Sequence, residues 1–133
     1  MAKKRSPLQK AKDNAWKACS LYVRLRDADW RGNDTCVTCG KVDHYKHMQA
    51  GHFVQGRHNS ILFDTRHIHP QCPGCNLFKN GNLYLYGKFM EKKYDQEVID
   101  ELFELDKKSV KYTIQDYKDI ETNFKELCKQ LSQ

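Results

Sequence analysis

Two Cys-x-x-Cys pairs, Cys36-Val37-Thr38-Cys39 and Cys72-Pro73-Gly74-Cys75, constrain this chain more than any other feature of its 133 residues. The turn inside such a pair brings both sulfurs to one side. Two pairs therefore supply the tetrahedral sulfur set that structural zinc prefers. Four thiolates leave no open coordination position, so the zinc is expected to hold structure and not to do chemistry. A redox dithiol and four unrelated cysteines are the alternatives. Gly40 and Gly74 ease the two turns. Cys19 and Cys128 fall inside helical patterns and read as small buried apolar residues. The opening MAKKRSPLQK has no apolar core of the kind a signal peptide needs, so a cytoplasmic setting with reduced thiols is expected, and disulfides are not.

Charge is unevenly spread. The net charge is +6, with 39% apolar and 30% charged residues, as for a globular protein with a well-charged surface. No run approaches the roughly 18 apolar residues of a membrane span. Residues 1–31 carry nine Lys/Arg against three acids, and residues 94–133 carry six against ten. A polyanionic partner is therefore expected to meet the front and middle of the chain, through residues such as Lys3, Lys17, Arg24, Arg26 and Arg31. All six histidines lie between 44 and 69, so the chemistry is expected there.

The expected architecture is α+β, in one domain spanning 1–133. Its parts are a basic N-terminal helix (1–31), a zinc-bound core (32–93) and C-terminal helices (94–133). Leu8, Ala11, Ala15, Ala18 or Cys19, Tyr22 and Leu25 make one apolar stripe over 7–28, with Ser6 as cap and Pro7 in the first turn. Residues 31–34 signal a turn. Residues 35–71 have no helical period and read as two short strands with loops. Further helices are expected over 82–94, over 96–107 behind Asp95, and over 114–131. Tyr84, Tyr86 and Phe89 are expected in the core.

The insert between the cysteine pairs contains AGHF (50–53) and runs into FDTRHIHPQCPGCN (63–76), followed by Gly81-Asn82. A glycine-histidine ending a strand, a polar residue five positions before the third cysteine, and Asn just after the fourth resemble the HNH nucleases of the ββα-metal (His-Me finger) class. The local pattern is more closely similar to the phage NinG proteins, also called Rap, which act on branched DNA in recombination. The resemblance covers about residues 30–90. It implies an HNH-like core between the outer helices and a phage-encoded protein working in a bacterial host, or one from a prophage.

Carried over by position, the resemblance makes His52 the general base and Asn76 a ligand of a catalytic Mg²⁺ or Mn²⁺. Asn80 lies one helical turn on, at i+4, so it would face the same way as a second ligand. The plain alternatives are a structural histidine and a helix cap. His67 takes the place where the family normally has Asn, and would orient the loop by donating a ring N–H to a carbonyl. Many HNH nucleases carry an acidic or histidine ligand directly before the base. Here that residue is Gly51, and Asp64, His69 and His47 are the replacements to consider. Asp64 could equally brace Arg66 or Arg57. Arg57, Arg66, Lys79 and Lys88 flank the site as phosphate contacts that set register without reading sequence. The implied activity is a metal-dependent endonuclease cutting Holliday-junction or D-loop DNA by His-activated water, with a homodimer as the natural way to place two symmetric cuts. The alternatives are an HNH nicking or restriction-type nuclease, and a zinc-stabilised nucleic-acid-binding module without catalysis.

Overall fold

The computed structural model describes residues 4–132. Helix α1 spans Pro7–Asp27. The Ser6 hydroxyl accepts the Gln9 N–H at 3.1 Å and Pro7 occupies the first turn, so one orphan donor is capped and another is missing by design. Its buried face is Ala11, Ala15, Ala18, Cys19 and Val23. These small residues let a second helix approach closely. That helix is α5 (Ile114–Leu131), started by a capping box between Thr113 and Asp116. Tyr22 meets Phe124 at 5.7 Å between ring centroids, and Tyr117 packs on Ala11 and Ala15. Leu8 is exposed, outside the stripe expected of it, and Cys128 is only partly covered.

Residues 33–71 differ from the two strands expected. Four short strands form two antiparallel pairs among the described residues. Strand β1 (Asn33–Thr35) pairs with β2 (Val42–His44), and β3 (Gln49–His52) pairs with β4 (Ile68–Gln71). The first strand lies partly in the expected turn, because three residues are too few to show a period of two. Register sets Gln49 opposite Gln71 and Gly51 opposite His69. Ala50 and Ile68 turn toward the α1–α5 pair and complete one core with Ala18, Cys19, Val23 and Phe124.

A short helix α2 (Asn59–Leu62) fills the β3–β4 connection. Helices α3 (Leu83–Lys93) and α4 (Gln96–Asp106) follow the second cysteine pair. Val54, Ile61, Tyr86, Met90, Ile99 and Leu102 form a second core beneath them. The mixed α+β class is as expected. Tyr86 is fully buried, but Tyr84 is 75% exposed and does not join the core. Residues 84 and 86 differ by about 200° around a helix, so both cannot face the same interior.

Candidate functional site

The two cysteine pairs meet. The first sits in the loop between β1 and β2, and the Val37 N–H donates to the Pro70 carbonyl at 3.1 Å, which anchors that loop to β4. The second begins where β4 ends. The four Sγ atoms all lie within 4.8 Å of one another, and Met48 packs against them. A tetrahedral Zn–S distance of about 2.3 Å sets sulfur spacings of about 3.8 Å. The cluster fits such an ion, and the four cysteines can hold a metal such as zinc. Thr38 Oγ1 lies 3.3 Å from Cys36 Sγ, and Asn82 Nδ2 donates toward Cys75 Sγ at 3.5 Å.

His52, the last residue of β3, is 7% exposed. Trp16 of α1 stacks on its ring at 4.7 Å between centroids and 24° between planes. The Arg57 guanidinium lies 4.8 Å over Trp16, and the backbone of Arg57 is left-handed, with φ 53°. Nε2 of His52 is 3.0 Å from the Leu62 carbonyl. A carbonyl only accepts, so Nε2 carries the proton and the neutral ring keeps its lone pair on Nδ1. Burial first, then the neighbouring His67 and Arg57, pushes the imidazole down to about 3, against the opposing pull of the Leu62 bond.

This shift has a stability consequence. The unfolded ring takes a proton near 6.5 and the folded one near 3. The contribution of His52 is therefore complete above pH 6.5 and is lost as pH falls toward 3. Between pH 7 and 5 the loss from this group is about 2 kcal/mol. The drop in unfolding free energy over that range should shrink in His52→Asn, measured by denaturant titration. Equal drops in both proteins would show that the folded ring protonates freely.

His67 uses both ring nitrogens. Nε2–H donates to the Ile61 carbonyl at 2.8 Å, and the Val54 N–H donates to Nδ1 at 3.2 Å. It thus ties Val54 to Ile61, the residue before the Leu62 carbonyl. The Tyr86 hydroxyl, 2.7 Å from the Gly51 carbonyl and 3.1 Å from that of His67, clasps the same region.

Asn76 sits in a single wide turn, Gly74–Phe78, directly after the last cysteine. Its Nδ2 donates to Gln49 Oε1 at 2.7 Å. The chain then leaves helical geometry: Asn80 is exposed in a left-handed conformation, with φ 50°. The four-residue spacing from Asn76 therefore does not put the two side chains on one helical face, which corrects the expectation for Asn80. Glycine and asparagine after the turn stop the helix, and α3 starts afresh at Leu83.

The three replacements considered for Gly51 are engaged elsewhere. Asp64 receives Arg66 through two side-chain bonds, at 2.7 and 3.0 Å, and caps the next turn. His69 is buried between the Arg66 carbonyl (3.0 Å), Tyr94 (3.2 Å) and Arg26 (3.3 Å). His47 is exposed beside Asp43.

Several basic residues expected to meet DNA do other work. Arg24 donates to the Tyr45 carbonyl, and Arg26 to the carbonyls of Thr65 and Ile68 while pairing with Asp27. Both are half-buried struts of α1. Arg66 is held by Asp64 and Glu101. Lys17, Arg31, Arg57, Lys79 and Lys88 are exposed, with Arg31 over Trp30 and Lys88 over Tyr84. Lys3 lies outside the described residues. Trp16 was not foreseen: its contact with His52 joins residues far apart in the chain. A cleft of about 550 Å³ is lined by Arg5, Lys10, Asp13, Asn14, Trp16 and Lys17.

No helix among the described residues is long and apolar enough to cross a membrane. No solved structure matches the chain. The family described as "Bacteriophage Lambda NinG protein" matches residues 2–133. Proteins named "Protein ninG" from Escherichia phage lambda, Salmonella phage P22 and Escherichia phage 933W are each 30% identical over 118 residues, or 88% of this chain. The chain spans about half the length of these relatives, 55% to 56%. A family match over residues 2–133 places this chain in the phage NinG family.

Proposed function

We propose that this chain is a metal-dependent DNA endonuclease that cuts branched recombination intermediates, such as Holliday junctions or D-loops, on a zinc-stabilised core of HNH type. The observation that carries the reading is the His52 ring, whose proton is committed to Leu62 through Nε2 and whose lone pair stays on Nδ1. Water beside Nδ1 gives its proton to that nitrogen and attacks phosphorus in line, and the 3′ oxygen leaves. Burial keeps the ring neutral at physiological pH, so it is in the form that can accept, though as a weaker base than a free imidazole. Arg57 offers a charge-assisted contact to a non-bridging oxygen. Asn76 presents a hard amide oxygen, which fits Mg²⁺ or Mn²⁺. That ion, when bound, supplies charge stabilisation on the reacting phosphate. Zinc at Cys36, Cys39, Cys72 and Cys75 holds β4 and the Asn76 turn in place.

The cleft along α1, whose lining includes Lys10, Lys17 and Trp16, offers a basic surface for phosphates beside the residue that stacks on His52. If Lys10 and Lys17 each neutralise one phosphate, replacing both by Gln should lower the slope of log K against log salt by about 2. An unchanged slope would assign them to solvent. Two symmetric cuts call for two sites, so a twofold dimer belongs to the proposal. The apolar stripes of α1 and α5 face each other within one chain and do not supply its interface.

The test compares a four-way junction with a linear duplex of the same sequence, with and without Mg²⁺. Cutting of the junction alone is the expected result. Equal cutting of both would leave a nicking or restriction-type nuclease. Binding without cutting of either, or of supercoiled plasmid, would leave a binding module.

A further inference from the structure

Gly51 is the position where the nuclease reading lacks a ligand, and the structure fills that position from another strand. A Cβ built on Gly51 would fall 1.8 Å from Gln71 Oε1 and 3.1 Å from Asn76 Oδ1. Both amide oxygens thus converge on the place where a side chain of residue 51 would stand. Gln71 lies on β4, opposite Gln49, and is completely buried. Its Nε2 donates to the Gly81 carbonyl at 2.8 Å and to Thr38 Oγ1 at 3.2 Å. A backbone carbonyl cannot donate, so this contact fixes which end of the amide is oxygen. Oε1 is therefore held toward Gly51, and it has no hydrogen-bond partner. A buried acceptor that is oriented by two bonds and left unmatched is unusual in a native fold, and it needs an explanation.

We propose that Gln71 Oε1 is a ligand of the divalent cation at Asn76, standing in for the side chain that Gly51 does not have. The proposal rests on the nuclease reading for the presence of that cation. Both ligands are neutral oxygens, which suits Mg²⁺, Mn²⁺ or Ca²⁺ and excludes softer ions. With no carboxylate among them, most of the compensating charge must come from substrate phosphate. Affinity for the free ion is then weak and rises when DNA is present.

The experiment measures Mn²⁺ binding to the zinc-loaded full chain by electron paramagnetic resonance, with zinc content and cooperative unfolding as controls. Gln71→Ala should weaken Mn²⁺ binding at least tenfold. Gly51→Asp together with Gln71→Ala puts a carboxylate where Oε1 stood and should restore binding to the level of the parent or better. In the parent protein, Mg²⁺ should shift the side-chain carbonyl ¹³C resonance of Gln71, a measurement that needs no variant to fold. Mn²⁺ binding that is indifferent to Gln71→Ala, or an unmoved Gln71 resonance at saturating Mg²⁺, overturns the proposal. Junction cutting that persists in either case would leave the nuclease reading standing without Gln71. A chain that binds Mn²⁺ through Gln71 but cuts nothing would do the reverse.

Discussion

Removing the metal from the four-cysteine cluster should unfold the middle of the chain. A structural zinc site contributes on the order of 10–16 kcal/mol of apparent binding free energy, while a whole domain of this size is stable by about 5–15 kcal/mol. A zinc contribution of that size would be as large as the total, and nothing else in the core would replace it. Residues 33–81 hold two three-residue strands, two four-residue strands, the four-residue helix α2 and isolated turns, none of which persists alone. A strong chelator, or Cys72→Ser, should abolish the cooperative transition and release about one zinc per chain by mass spectrometry. Much of the helical circular dichroism should survive, because α1 and α5 pack on each other through Tyr22 and Phe124. An unchanged transition in metal-free protein would instead favour a dithiol pair, for which the 3.6 Å between the sulfurs of Cys39 and Cys72 is the nearest geometric support.

His52→Ala should abolish DNA cutting while leaving zinc content and DNA affinity near those of the parent. General-base catalysis contributes about 10² to 10⁴ in rate, so the loss should be at least a hundredfold. The substitution also leaves the Leu62 carbonyl without its donor and a gap beneath Trp16, costing about 1–3 kcal/mol in stability. That cost is measurable by denaturant titration, and it separates a lost base from a lost fold. Full activity in the variant would remove His52 from the mechanism. Full stability with full activity would contradict the geometry itself.

The cysteine pairs were legible because the ligand set is nearly local: each pair is one turn, and only one long closure joins them. The outer helices were legible from periodicity, with α5 found at its observed limits. The acceptors of basic side chains were not. Arg24 and Arg26 read like a DNA-facing row on a basic helix, yet each turns inward to backbone carbonyls contributed by Tyr45, Thr65 and Ile68. Charge along a helix does not reveal which carbonyls the fold will bring beneath it. Asn80 failed for a related reason. The four-residue rule holds only inside a helix, and a left-handed residue ends that geometry without any change in hydrophobic pattern. Gln71 gave no signal at all, since a buried glutamine reads like an exposed one until its neighbours are known.

The pairing of α1 with α5 has a consequence for synthesis. The two helices are separated by nearly the whole chain, yet each is the other's main apolar cover. While a ribosome is still making α5, Ala15 lacks its cover, and Cys19 and Val23 have only the β3–β4 pair beside them. The cysteine cluster closes a much shorter loop and can capture its ion first. If the cluster binds a metal, capture is expected in the nascent chain, with closure of α1 on α5 following once α5 has emerged from the exit tunnel.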